Sequence, residues 1–133
     1  MQPAGSSMSR ERPILIVEDD LALRTSLAEL LVQQGYKVEC AADGLEAYKH
    51  LSQSAARPLV ILLDLMMPSM DGLEFQILAR ALPSVANVPI VVLTGSRDYA
   101  EATTGVAEQV FHKPVNTWRL LKTIRTLAAG PRC

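Results

Sequence analysis

Four apolar runs of this chain end in residues able to do chemistry. ILIV, residues 14–17, runs into Glu18-Asp19-Asp20, and LVILL, residues 59–63, runs into Asp64. IVVL, residues 90–93, ends in Thr94-Gly95, and VFH, residues 110–112, ends in Lys113-Pro114. Clustered carboxylates repel, and each one's ionisation raises the pKa of its neighbours. Such a group is costly unless a cation occupies it. Two or three carboxylate oxygens with a backbone carbonyl suit Mg²⁺, a hard ion that keeps several waters and shares its shell with phosphate. Lys113 brings a compact positive charge suited to a phosphate oxygen or a carboxylate, and Thr94 brings a hydroxyl donor. Brought together, these groups form a site for an anion with several oxygens, beside a carboxylate able to accept it.

Convergence requires the four runs to be strands of one sheet. Strands are expected over 14–17, 36–41, 59–63, 90–93 and 110–112. In residues 21–34, Leu23, Leu27, Leu30 and Leu31 share one helical face, and Gly35 can close that helix. Asp43 is an N-cap for a helix over 44–55, ending before Arg57-Pro58. Asp71 opens a helix to about residue 82, stopped by Pro83. Asn116 or Thr117 caps a last helix over 118–128, before Gly130-Pro131. Asp20 reads as the cap of the first helix rather than as a ligand. The order is β-α five times, which argues for a parallel sheet with helices on both faces. Right-handed crossovers then favour an α/β, flavodoxin-like (βα)5 doubly wound domain of strand order 2-1-3-4-5. In that order strands 1 and 3 are neighbours, and the crevice beyond their C-terminal ends takes ligands. Asp64, at the tip of a core strand, stands in that crevice.

The composition narrows the classes. A chain of 133 residues with 49% hydrophobic and 20% charged residues fits one globular domain. A formal net charge of -1 offers no general attraction to nucleic acid or a membrane surface. Cys40 and Cys133 lack metal-ligand spacing and read as reduced thiols. The run 14–17 is too short for a membrane span or a signal-peptide core. A cytoplasmic protein is expected, with a flexible arm over 1–12, the folded domain over 13–129 and a tail over 130–133.

The segments ILIVEDD, LLDLMMPSMDG, VVLTG and HKPV, in that order, resemble the receiver domain of two-component response regulators. The resemblance runs from residue 13 to about 128, and ADGLEAY at 42–48 resembles the family's entry to its second helix. It implies that Asp64 is a phosphoacceptor, taking a phosphoryl group from a histidine kinase or a phosphotransfer protein. It implies a Mg²⁺ held by Asp19, Asp64 and the backbone carbonyl of Met66, with Glu18 acting mainly through water. Lys113 would bridge to the acyl phosphate, Thr94 would donate to it and register its arrival, and Lys113–Pro114 is a cis-peptide candidate. The resemblance further implies a signalling phosphoacceptor rather than an enzyme, one that supports its own phosphorylation and dephosphorylation.

Three departures accompany the resemblance. The family usually has Tyr or Phe three residues before the lysine; here that residue is Val110, and strand alternation points the adjacent Phe111 to the opposite face. Phosphorylation is therefore expected to move the loop after Thr94 without an aromatic flip. Only residues 95–112 separate Thr94 from Lys113, fewer than usual, which leaves roughly two turns for a helix there. Thr103-Thr104-Gly105 favour it weakly, so a short or frayed helix is expected. No output domain follows the last helix, so the sequence reads either as a stand-alone receiver or as one excised from a larger regulator.

Rival readings remain. A flavin carrier wants a hydroxyl-rich phosphate loop after the first strand, where Glu18-Asp19-Asp20 stand. A haloacid-dehalogenase-like phosphatase wants a second aspartate two residues after the nucleophile, where Met66 stands. A pseudo-receiver that binds partners without phosphorylation is the third, kept open by Val110. His50 and His112 read as surface or hydrogen-bonded side chains, and Met66, Met67 and Met70 as packing at the rim. Arg119, Lys122 and Arg125 form either a solvated face or a partner surface.

Overall fold

The five expected strands form and pair in parallel in the order β2-β1-β3-β4-β5. They are β1 Ile14–Val17, β2 Val38–Ala41, β3 Val60–Asp64, β4 Ile90–Thr94 and β5 Gln109–His112. The helices are α1 Leu21–Gln33, α2 Gly44–Gln53, α3 Gly72–Arg80 and α4 Thr117–Ala128. The computed structural model describes residues 12–53, 57–65, 67, 70, 72–95 and 109–129. The expected helix between β4 and β5, the Asp71 cap, the Met66 carbonyl, the arm up to residue 11 and the tail from residue 130 lie outside the described residues.

Strand alternation divides the core in two. On one face Leu15, Val17, Ile61, Leu63 and Val92 pack against Ala47 and Leu51 of α2 and Phe75 and Ala79 of α3. On the other, Ile14, Ile16, Val60, Leu62 and Leu93 pack against Leu27 and Leu31 of α1 and Leu120 and Ile124 of α4. Both faces are covered, which explains why β1, β3 and β4 are buried at every position. This is the flavodoxin-like, doubly wound arrangement expected from the alternation of elements.

Local chemistry sets where the helices begin and end. Asp20 caps α1, its Oδ1 accepting from the N–H groups of Ala22 (2.9 Å) and Leu23 (3.2 Å). At the other end Gly35 adopts φ 91°, its N–H donates to Val32 O, and that of Tyr36 donates to Leu31 O. This is the Schellman closure, which needs a left-handed residue and so favours glycine. It also corrects one boundary: β2 begins at Val38 rather than residue 36, because the Tyr36 N–H is consumed by the helix cap. Asp43 Oδ1 accepts from the Glu46 N–H (2.8 Å) to open α2, and Asn116 Oδ1 accepts from the Arg119 N–H (3.0 Å) to open α4. Of the two expected caps for α4, Asn116 is the one used.

A second boundary matters for the site. β3 extends through Asp64, which pairs with Leu93, and β4 extends through Thr94. Each was expected to lie just past its strand. As strand residues they inherit the sheet's alternation, and their directions are set by pairing rather than by a loop. The turn that follows β3 is equally constrained. The Gly72 N–H donates to Leu65 O (2.9 Å), and a Cβ at Gly72 would sit 2.6 Å from Leu65 Cα. Only a residue without a side chain lets α3 start this close to the strand it follows.

Candidate functional site

The register brings the strand tips level. Val17 pairs with Leu63, so Glu18 stands beside Asp64, and the Lys113 N–H continues the β4–β5 ladder by donating to Thr94 O at 2.8 Å. Glu18 follows Ile14 and Ile16 in alternation, Asp64 follows Val60 and Leu62, and Lys113 follows Phe111. All three therefore turn to the α1–α4 side of the sheet.

The contacts match that parity. Lys113 Nζ lies 3.0 Å from Glu18 Oε1 and 3.5 Å from Asp64 Oδ1. Glu18 and Asp64 are buried, at 1% and 4% exposure, whereas Asp19 is open to solvent. Glu18 is held twice more: its Oε2 accepts from the Asp20 N–H (3.2 Å), and its carbonyl accepts from Arg24 (2.7 Å). One oxygen each of Glu18, Asp19 and Asp64 lies within 4.8 Å of the others. Thr94 is fully buried at the tip of β4. Lys113–Pro114 is a cis peptide.

Among the described residues three carboxylates gather beside one ammonium, and Glu18 is the most deeply buried of the three. Burial foremost, then contact with Asp64, pushes its pKa up to about 7, against the opposing pull of Lys113 and the Asp20 N–H. Lys113 is also raised: burial disfavours its charge, but Glu18 and Asp64 outweigh burial. The crevice is rich in carboxylate oxygen and nearly dry around Glu18. Its donors are hard oxygens, and they fit a divalent cation of the Mg²⁺ type.

Glu18, Asp19, Asp64 and Lys113 are thus brought together, and Thr94 closes the adjacent strand. Asp20 caps α1 and is used there. His50 pairs with Glu39, Nε2 to Oε1 at 2.7 Å, away from the crevice. Met67 and Met70 pack into the core beside α2. Arg24 escaped the sequence reading. Its role depends on the loop placing the Glu18 carbonyl one helical turn away, and no pattern of residue types announces that.

Residues 14–125 match the family described as response regulator receiver domain. Response regulator MprA of Mycobacterium leprae is 41% identical over 118 residues, covering 86% of this chain and 50% of that protein. The chain spans about half the length of the curated relatives it matches, 49% in the Mycobacterium strain KMS protein. The Vibrio cholerae chemotaxis protein CheY4 superposes with a TM-score of 0.78 at 34% identity, over 87% of this chain and 98% of that one. The receiver domain of sensor histidine kinase PA1611 from Pseudomonas aeruginosa, solved with a magnesium ion in its active site cleft, gives a TM-score of 0.80 at 26% identity. It covers 90% of this chain and 98% of its own. With the sheet order and the acidic crevice already in place, these matches define the class: the chain belongs to the response regulator receiver domains of two-component signalling. Among the described residues no helix is long and apolar enough to cross a membrane.

Proposed function

We propose that this receiver is a phosphoacceptor and that Asp64 carries the phosphoryl group. The reading rests on one observation above the rest: the oxygens of Glu18, Asp19 and Asp64 cluster within 4.8 Å, with the Lys113 ammonium against two of them. Asp19, Asp64, the Met66 carbonyl and, through water, Glu18 would hold a Mg²⁺, which when bound supplies positive charge to the equatorial oxygens of the phosphoryl in flight. An Asp64 oxygen attacks phosphorus in line with the phosphohistidine nitrogen of a histidine kinase or phosphotransfer protein. The new O–P bond forms as the P–N bond breaks, and its electron pair stays with the imidazole. An ionised Asp64 has no proton to lose, so the step needs no base. Lys113 bridges to a phosphoryl oxygen, and the Thr94 hydroxyl donates to another and registers its arrival. Water attacking the same phosphorus returns Asp64 and makes the mark temporary. The working unit is residues 13–129, and its place beside a kinase's phosphohistidine is cytoplasmic.

One observation favours a second reading, a pseudo-receiver docking partners without phosphate. Val110 packs into the cluster on the α2–α3 face while Phe111 packs on the α1–α4 face, so no aromatic stands at the family's usual reporting position. Incubation with Mg²⁺ and a small-molecule phosphodonor, followed by intact mass measurement, separates the two. The phosphoacceptor gives a Mg²⁺-dependent, alkali-labile phosphoryl adduct that Asp64→Asn abolishes. An unmodified wild-type chain, where another receiver reacts in parallel, supports the pseudo-receiver instead.

A further inference from the structure

The outer face of α4 carries a feature that phosphoryl chemistry does not use. Trp118, Leu121, Lys122 and Arg125 recur at the spacing that places them on one side of the helix, opposite the buried Leu120 and Ile124. Together with Gln34 from the end of α1 they line a groove of about 350 Å³. A smaller hollow of about 50 Å³, lined by Gln34, Tyr36, Leu121 and Arg125, adjoins it. Trp118 is the chain's one tryptophan and is 69% exposed. The Lys122 ammonium stands 5.4 Å from its ring centroid.

We propose that this groove docks an acidic amphipathic helix of a partner protein. Such a helix would seat an apolar side chain on Trp118 and Leu121 and set carboxylates against Lys122 and Arg125. The charge pattern carries the choice. Among the described residues no carboxylate lines either hollow, and α4, TWRLLKTIRTLA, contains no Asp or Glu, so the described lining combines an apolar floor with a cationic rim. Its volume holds one or two large side chains. An exposed indole beside cations is the composition of an interface anchor, since Trp and Arg dominate binding energy where they are desolvated together. Nucleic acid fits less well, because two cations neutralise too few phosphates for stable binding in a chain of net charge -1. A lipid surface fits less well because the more apolar face of α4 is already committed to the core.

The single tryptophan makes the test direct. The whole chain is titrated with two helical peptides of equal length, one of leucine and glutamate, the other of leucine and lysine, each labelled for anisotropy. The expected result is saturable binding of the acidic peptide with a blue shift of Trp118 emission, and none of the basic one. The paired charge reversal Lys122→Glu with Arg125→Glu should weaken binding at least tenfold, and so should Trp118→Ala, read by peptide anisotropy. Thermal melts should be unchanged in these variants, because the altered side chains face outward. Equal binding of both peptides, indifference to the charge reversal, no saturation up to millimolar peptide, or an emission shift only with phosphatidylserine vesicles would each overturn the proposal.

Discussion

Glu18 bears a clear electrostatic conflict in the crevice. Its carboxyl is nearly sealed from water and faces Asp64, and Lys113 relieves only part of the repulsion. The direction of the consequence follows from proton counting. The folded chain keeps a proton on Glu18 up to about pH 7, whereas the unfolded chain releases it near 4.5. Between those values the native state binds more protons, so stability falls as pH rises through the window and levels off above it. The loss is on the order of 1–3 kcal/mol, or several degrees of melting temperature for a domain of this size. Without divalent cations, the wild type should therefore melt lower at pH 8 than at pH 5.5 by more than Glu18→Gln does. Scanning calorimetry at the two pH values checks it, and an identical pH dependence in the two proteins would refute the assignment. Lys113 contributes with the same sign at higher pH: its raised pKa adds stability that is intact below its ordinary value of 10.5 and is lost as pH rises through the raised one. Of these two groups, Glu18 is the one that acts in the neutral range.

At the level of elements, the position of Asp64 depends on how tightly α3 closes on β3. Gly72 sits where a Cβ would meet Leu65 Cα and Cδ2, both at 2.6 Å, and the Asp64 carbonyl at 3.0 Å. Backbone cannot yield there without moving the strand tip. Gly72→Ala should destabilise the fold by about 1–3 kcal/mol through overpacking, seen as a lower urea midpoint at unchanged slope. An unaltered midpoint would show that the turn has slack. Much at this scale was legible in the chain. The caps Asp20, Asp43 and Asn116 and the closing Gly35 act through neighbours a few residues away, so residue type and spacing sufficed. Boundaries were less legible. β2 starts late because a helix cap takes the Tyr36 N–H, and β3 and β4 end late because Asp64 and Thr94 still have partners across the ladder. Those partners come from distant segments.

For the molecule as a whole, a cation held in the acidic crevice would couple its binding to folding. A cation that binds only the native state stabilises it by about 2.7 kcal/mol at a hundred times its dissociation constant. It competes with the proton on Glu18, so added Mg²⁺ should raise the melting temperature more at pH 8 than at pH 6. Asp19→Asn should remove most of that gain, because Asp19 is the exposed member of the three-carboxylate group. An equal shift at both pH values in a thermal melt would argue against a shared site. The kinds of group at the strand ends, the alternation of strand and helix and hence the sheet order were determined by the sequence alone. Apolar period, caps and breakers are local properties that survive without knowledge of the fold. Only the tertiary structure decided that Lys113 reaches Glu18 before Asp64, that Arg24 clasps the Glu18 carbonyl, that burial drives Glu18 toward neutrality, and that Trp118 is left in a cationic groove. Each of these depends on a distance or a desolvation set by segments far apart in the chain, and such quantities exist only once the sheet has assembled.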